Sequence, residues 1–305
     1  MSYHKSVLLE QSVAALNIKR DGVYIDVTFG GGGHSQEILK HLGEKGRLFA
    51  FDQDPDALQN KINDERFVLI DQNFRFITRF LRFYGVQKVD GILADLGVSS
   101  HQFDVVERGF STRFDVDLDM RMNPKSELSA KKVINRYSEE KLADILFLYG
   151  ELRNARVLAR TIVLAREKQE IKTSFQLKEV LQQFLIKSKE HKILAQIFQA
   201  IRIEVNQELE ALKELLMQMP GLLNPAGRIS VISYHSLEDR LVKRFIQTGV
   251  FGKSEPEKDF YGNTNEPLKK VGKLIVPSSI EIKQNNRARS AKLRVAELKE
   301  GYVES

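Results

Sequence analysis

Asp26-Val27-Thr28-Phe29-Gly30-Gly31-Gly32-Gly33-His34-Ser35 is the stretch on which the reading of this chain turns. It follows a β-branched run at residues 23–27 that reads as a strand, and it precedes a helical pattern opening near Ser35. Glycines in such a link let the backbone approach a ligand closely, and the helix start offers free N–H groups. A tight structural turn would use the same residues, so the cluster needs its surroundings. Outward from it, residues 47–52 read as a second strand, followed by a helix that Pro55 suits at its first turn. Residues 67–71 read as a third strand, 74–83 as an apolar-faced helix, and 89–95 as a fourth strand ending in Asp95-Leu96-Gly97. Strands alternating with helices indicate a parallel α/β sheet.

That grammar stops after residue 110. From Ser111 to Gln207 no strand is expected; helical patterns cover 139–148, 154–169 and 175–185. A longer one runs from Ile193 to Met219, with Leu194, Ile197, Ile201, Val205, Leu209, Leu212 and Leu216 at three- and four-residue steps, until Pro220-Gly221 ends it. Such a stripe is packing, not a site. Residues 227–233 then read as a strand, 237–245 as a helix, and 273–276 and 292–298 as late strands, with a mobile loop expected over 249–272. The expected architecture is one α/β domain over 1–110 and 210–305, interrupted by an all-helical insertion over 111–209.

A chain of 305 residues can bury a sizeable core. It holds no apolar run long enough to span a membrane, and Glu10 and Gln11 interrupt Val7-Leu8-Leu9 too early for a secretory leader. Zero cysteines exclude disulfides, thiol nucleophiles and cysteine-bound zinc, and fit a reducing, cytoplasmic setting. His4, His34, His41, His101, His191 and His235 are scattered without ligand spacing, so no metal is expected. A formal charge of +6 suits a polyanionic partner but is weak by itself. Its distribution is more telling: Arg287, Arg289, Lys292 and Arg294 fall close together with no acid among them. The same pattern equally describes a solvated basic strand.

No register of Gly30–Gly33 supplies the third glycine of the dinucleotide fingerprint. The loop therefore suits a pyrophosphate less well than an amino-acid moiety of the kind S-adenosylmethionine carries. Asp52 ends the second strand about 20 residues on, where an acid bonds ribose hydroxyls in Rossmann-type sites; its bland alternative is a cap before Pro55. Asp26, the four glycines and Asp52 together point to an adenosine-containing cofactor. Phe74 could lie against an adenine or simply join the core. Asp95 stands at the carboxyl end of the fourth strand, where open parallel sheets bind ligands. Ser233-Tyr234-His235-Ser236 leaves the fifth strand toward the same rim. A lone histidine is more often structural, and Ser236 with Asp239 also makes an acceptable capping pair.

Taken in order, several strings resemble the RsmH/MraW methyltransferases along nearly the whole chain. They are His4-Lys5-Ser6-Val7-Leu8-Leu9, the glycine stretch, Asp95-Leu96-Gly97-Val98-Ser99-Ser100, Glu107-Arg108-Gly109-Phe110-Ser111, and Leu118-Asp119-Met120-Arg121-Met122. Arg202-Ile203-Glu204-Val205-Asn206-Gln207-Glu208-Leu209, Ser233 through Arg240, and Arg287-Ala288-Arg289-Ser290 complete the set. The resemblance implies a Rossmann-like class I S-adenosylmethionine-dependent methyltransferase with a helical substrate-recognition insertion. It implies N4 methylation of a cytidine in the decoding region of 16S rRNA, with the RNA met within a ribosomal particle. Cofactor contacts carry over to Gly32, Gly33, His34, Asp52, Phe74, Asp95 and Gln102, beside Gly30 and Gly31 of the same loop. Arg121, Arg202, Asn206, Ser236, Arg287 and Arg289, all in matched strings, are the candidate RNA contacts. Ser6, Tyr234, Asp115-Val116-Asp117 and Gln196 depart from the family's usual proline, phenylalanine, Asp-Gly-Pro and arginine.

The N4 amine is a poor nucleophile, and DNA N4 methyltransferases place an (Asp/Ser)-Pro-Pro-Tyr string at this strand end. Here Asp95-Leu96-Gly97-Val98 stands instead, so the acceptor is Asp95 or a neighbouring carbonyl, with His235 as the group that takes the proton. A dehydrogenase on the same scaffold would need the missing glycine fingerprint, and its preference for NAD over S-adenosylmethionine would expose it. A non-catalytic RNA-binding factor would be expected to lose the glycine loop, Asp52 or Asp95, and all are present. DNA as substrate is separable by offering duplex DNA beside rRNA.

Overall fold

Short runs of β-branched and aromatic residues, buried on both faces, form the parallel part of a seven-stranded sheet. The computed structural model describes residues 6–252 and 266–302. Its first part is α1 (Leu9–Ala15), β1 (Val23–Asp26), α2 (Gly33–His41), β2 (Arg47–Asp52), α3 (Pro55–Leu58), β3 (Phe67–Asp71), a 3₁₀ turn (Phe74–Phe76), α4 (Ile77–Phe83) and β4 (Val89–Asp95). Next come α5 (Ser100–Asp104), α6 (Ala130–Arg136), α7 (Glu139–Leu148), α8 (Ala155–Lys168), α9 (Ser174–Val180) and α10 (Glu190–Asn206). The last part is α11 (Glu208–Leu222), β5 (Leu223–Ser233), α12 (Ser236–Thr248), β6 (Leu268–Lys270), α13 (Ser279–Gln284) and β7 (Lys292–Leu298).

The strand order is β3-β2-β1-β4-β5-β7-β6. β1 to β5 run parallel, and β7 lies antiparallel between β5 and β6. Successive side chains of β2 serve opposite layers, as a period of two requires. Leu48 and Ala50 pack with Val13, Ile38 and Leu39 from α1 and α2. Phe49 and Phe51 pack with Ile77 and Leu81 of α4, Leu212 and Leu216 of α11, and Val242 and Phe245 of α12. Residues up to Gly97 and from Leu209 onward make one compact unit, and Val98–Glu208 makes a second. The second has its own core, in which Leu142 and Leu146 of α7, Leu158 and Ile162 of α8, and Ile197 and Ile201 of α10 are buried.

Several expectations need correction. The long helix is two: Gln207 takes a left-handed conformation (φ 50°) after α10, and α11 begins at the next residue. Pro220 lies within α11, which continues to Leu222. Residues 273–276 are not a strand; Ile275 makes a single bridge to Leu293, and the edge strand is Leu268–Lys270. That strand falls within the expected loop, of which 253–265 lie outside the described residues, as do His4 and Lys5. Phe74–Phe83 divides into a 3₁₀ turn and α4. No helix among the described residues is long and apolar enough to cross a membrane.

Candidate active site

Parallel strands deliver their carboxyl ends to one edge of the sheet. Asp26, Asp52 and Asp95 terminate β1, β2 and β4, and Ser233 terminates β5. The strand order reverses at β1, so the crevice between β1 and β4 is the switch point at which such sheets take ligands.

Asp26 organises the glycine loop from beneath. Its fully buried carboxylate accepts from Ser35 Oγ at 2.7 Å and from the Thr28 N–H at 3.1 Å, tying the strand end to the first turn of α2. Burial pushes its pKa up against those hydrogen bonds. Gly32 caps α2 with φ 78°, and a Cβ there would press on the Phe29 ring at 3.0 Å. A Cβ on Gly33 would collide with Ser6 Oγ. Gly32, with its positive φ and the ring beneath it, is closed to larger side chains, whereas at Gly33 the Ser6 hydroxyl would have to turn away, and Gly31 is exposed beside them.

Gly30, at φ 51°, donates its N–H to Asp52 Oδ2 at 2.8 Å, and its carbonyl accepts from Asn60 Nδ2 at 3.1 Å. The other Asp52 oxygen accepts from the Asp54 N–H at 2.9 Å. The cap of α3 is Asp54, not Asp52, since Asp54 accepts from the Asp56 N–H at 3.1 Å. Burial pushes the Asp52 pKa up to about 6. Each of its oxygens keeps a second lone pair, so a half-buried acceptor is held beside the glycine loop. That acceptor fits the hydroxyls of a ribose in an adenosine-containing group.

Asp95 is the second acid of the edge. Its N–H donates to Thr28 Oγ1 at 2.6 Å, and its Oδ1 accepts from the Tyr234 hydroxyl at 2.7 Å. Oδ2 stands 3.8 Å from His34 Nδ1, too long for a hydrogen bond. Burial pushes the Asp95 pKa up to about 6, while His34 and the Tyr234 hydrogen bond pull it down. His34 is buried, with Nε2 at 3.2 Å from the Val7 carbonyl, and burial lowers its pKa. A neutral ring donating from Nε2 keeps Nδ1 as an acceptor.

His235 caps α12: its Nδ1 accepts from the Glu238 N–H at 3.4 Å, and Glu238 returns hydrogen bonds from the Tyr234 and His235 N–H groups. The cap therefore falls one residue earlier than the Ser236–Asp239 pair. Nε2 of His235 lies 3.2 Å from Glu238 Oε1 but out of line for a hydrogen bond. Asp239 instead holds Arg294 at 2.7 Å and Lys292 at 3.1 Å. The basic string thus divides, because Arg287 and Arg289 stay exposed on a 3₁₀ turn before β7. Phe74, half-buried after β3, packs on the core beneath.

The remaining expected residues lie in the helical unit. Gln102 is buried and closes the capping box of α5 with Ser99. Arg121 holds Asp119 at 2.7 Å and the Pro124 and Ser126 carbonyls. Arg202 grips Glu208 through two nitrogens at 2.8 and 2.9 Å. Asn206 accepts from the Met122 N–H and donates to the Met120 carbonyl, supporting a turn in which Met120 has φ 58°. Gln196 donates to the Gly150 carbonyl at 2.9 Å. Thr28, Asn60 and the Tyr234 hydroxyl are the side chains at the strand edge that sequence reasoning did not single out.

A sheet of this order, with a glycine loop after β1 and acids ending β2 and β4, defines a Rossmann-like S-adenosylmethionine-dependent methyltransferase. The model of the MraW methylase family matches residues 1–299, and the chain belongs to that family. It is 66% identical over 297 residues to the ribosomal RNA small subunit methyltransferase H of Flavobacterium johnsoniae, covering 97% of this chain and 98% of the relative. The protein of the same name from Christiangramia forsetii is 64% identical over 296 residues, with 97% and 98% covered. Among solved structures, an rRNA methylase from Streptococcus thermophilus aligns over 98% of this chain and 99% of its own, at 11% identity and a TM-score of 0.41.

Proposed function

We propose that this chain methylates the N4 amine of a cytidine in the decoding region of 16S ribosomal RNA, in the cytoplasm, on RNA carried in a ribosomal particle. The names of its relatives and the chemistry of its strand edge support this reading. S-adenosylmethionine supplies the methyl group; the protein's own part is to hold, orient and take up a proton. Asp52 accepts from the ribose, the Gly30–Gly33 loop and His34 receive the amino-acid end, and Phe74 completes the cofactor's surroundings.

The observation that carries the reading is the state of Asp95. One oxygen is fixed by Tyr234, and Oδ2 accepts no hydrogen bond among the described residues. The cytosine amine holds its lone pair in the ring, so an acceptor for one amine proton favours pyramidal nitrogen and stabilises the charge that develops. With a pKa near 6, Asp95 is ionised at neutral pH and still basic enough to serve. His235, at the start of α12, then takes the released proton. Aligning amine and donor supplies much of the remaining catalysis.

The target base leaves its stack to reach this edge. Lys132, Arg136, Arg153, Arg156 and Arg160 of the helical unit are exposed and make no ion pair among the described residues, whereas Lys131 is 3.4 Å from Glu170. They and Arg287 and Arg289 face RNA phosphates, with Ser236 nearer the base. Arg121, Arg202 and Asn206 serve the RNA indirectly, as supports of the helical unit.

Mass spectrometry of small-subunit rRNA, free or assembled, after incubation with the protein and labelled S-adenosylmethionine tests the reading. One N4-methylcytidine is expected; methylation elsewhere, or none, refutes it. His235→Asn keeps a favoured cap and is expected to lose turnover while retaining donor affinity. Wild-type turnover in that variant would remove the histidine from the mechanism.

A further inference from the structure

A shallow hollow, open to solvent, lies where α12 meets β6 and β7, and the strand-edge site does not use it. Lys243 reaches it from α12, Lys270 from β6 and Lys273 from the turn that follows. All three are exposed and make no ion pair among the described residues. Arg294 adds a fourth cation at the wall, already held by Asp239. No acid lines the hollow. Its floor is apolar: Ile246 and Val295 are each 4% exposed, and Leu274 forms part of the rim at 38%.

Three unpaired ammonium groups around an apolar floor suit a ligand that is anionic at its edges and flat and weakly polar between them. A nucleotide within a single strand is such a ligand, and basic grooves that track a phosphate backbone bind single strands in this way. The hollow is also placed for the same strand. Lys243 stands eight residues along α12 from His235, about 12 Å at the rise of an α-helix. On β7, Lys292 pairs with Ser233 at the rim, and Arg294 lies two residues farther in.

We propose that this hollow holds a nucleotide of the substrate RNA a few positions from the target base, with Lys243, Lys270 and Lys273 on its flanking phosphates. The proposal rests on the reading of the protein as an RNA methyltransferase. It makes the α12–β7 face a second grip that fixes the register in which a base is offered.

The test is equilibrium binding of a single-stranded small-subunit rRNA fragment across about 50 to 200 mM salt, using the full chain. Every phosphate that is no longer neutralised by a lysine reduces the slope of log K against log salt by about 0.7. The triple variant Lys243→Gln, Lys270→Gln, Lys273→Gln is therefore expected to lose up to about 2 in slope, with S-adenosylmethionine affinity unchanged as the check on folding. Leu274→Ser is expected to weaken binding severalfold at unaltered slope. A triple variant with the wild-type slope, as an acidic protein partner for the hollow would leave it, overturns the hollow alone. Leu274→Ser binding like wild type overturns the apolar contact of a nucleotide with the hollow's rim. Wild-type protein without salt-dependent RNA binding overturns the RNA reading itself, and this inference with it.

Discussion

Asp95, proposed above as the acceptor, carries a stability cost of its own. Its ordinary pKa of 3.8 is pushed up to about 6 by burial, so folding favours its protonated form. Such a group adds stability below its unfolded pKa, and that contribution disappears as pH rises through the folded value, here between about pH 4 and 6. Asp95→Asn is therefore expected to lose methyl transfer yet to outlast the native chain at pH 7, by up to about 2 to 3 kcal/mol, with no such gain at pH 4. Thermal melts at the two pH values check this, and a difference independent of pH would mean that Asp95 ionises normally. Tyr234→Phe removes the hydroxyl that helps hold Asp95 ionised, among the neighbouring His34, Asp26 and Glu238. The acid limb of the pH–rate profile is expected to move to higher pH; an unmoved limb would sever Tyr234 from the reaction. The acids of the edge were readable because each closes a strand. The Tyr234 contact was not, since it joins residues 139 apart and hydrophobic periodicity says nothing of a hydroxyl's partner. His235 as a cap was missed for a related reason, because serine is the commoner cap and stands next to it.

At the scale of elements, strands were easier to read than helix ends. β2 and β4 fall where their apolar runs place them, because burial on both faces leaves a continuous apolar signature, and β7 is legible from its alternation of buried and half-buried residues. β6 has one buried residue in three and leaves no pattern. The division between α10 and α11 was hidden because apolar spacing runs across it, while the turn depends on one backbone angle at Gln207. A left-handed residue costs less as glycine, so Gln207→Gly is expected to raise stability by about 1 kcal/mol, measured by denaturant unfolding. Next to it, Asn206 makes three hydrogen bonds, to Met122, Met120 and Arg202. Asn206→Ala is expected to cost about 2 kcal/mol in the same measurement; an unchanged midpoint would make Asn206 a direct RNA contact again.

At the scale of the molecule, the change of grammar after the fourth strand was legible as a helical insertion because strand-forming runs cease there. The core of Val98–Glu208 is drawn from its own residues, such as Val133, Leu158 and Ile201. A segment with its own core folds by itself, so residues 98–208 expressed alone are expected to be helical and to melt cooperatively. Non-cooperative loss of helical circular dichroism would contradict that.

The pairing of β4 with β5 also bears on how the protein is made. β4 is bound on one side by β1, and its other side belongs to β5, which lies beyond the whole helical segment. A chain emerging from its own ribosome therefore presents an open, apolar strand border until more than a hundred further residues have been translated. Unpaired borders of that kind invite misassociation. Early maturation of the helical segment, ahead of the sheet it interrupts, would leave less unfinished when β5 arrives.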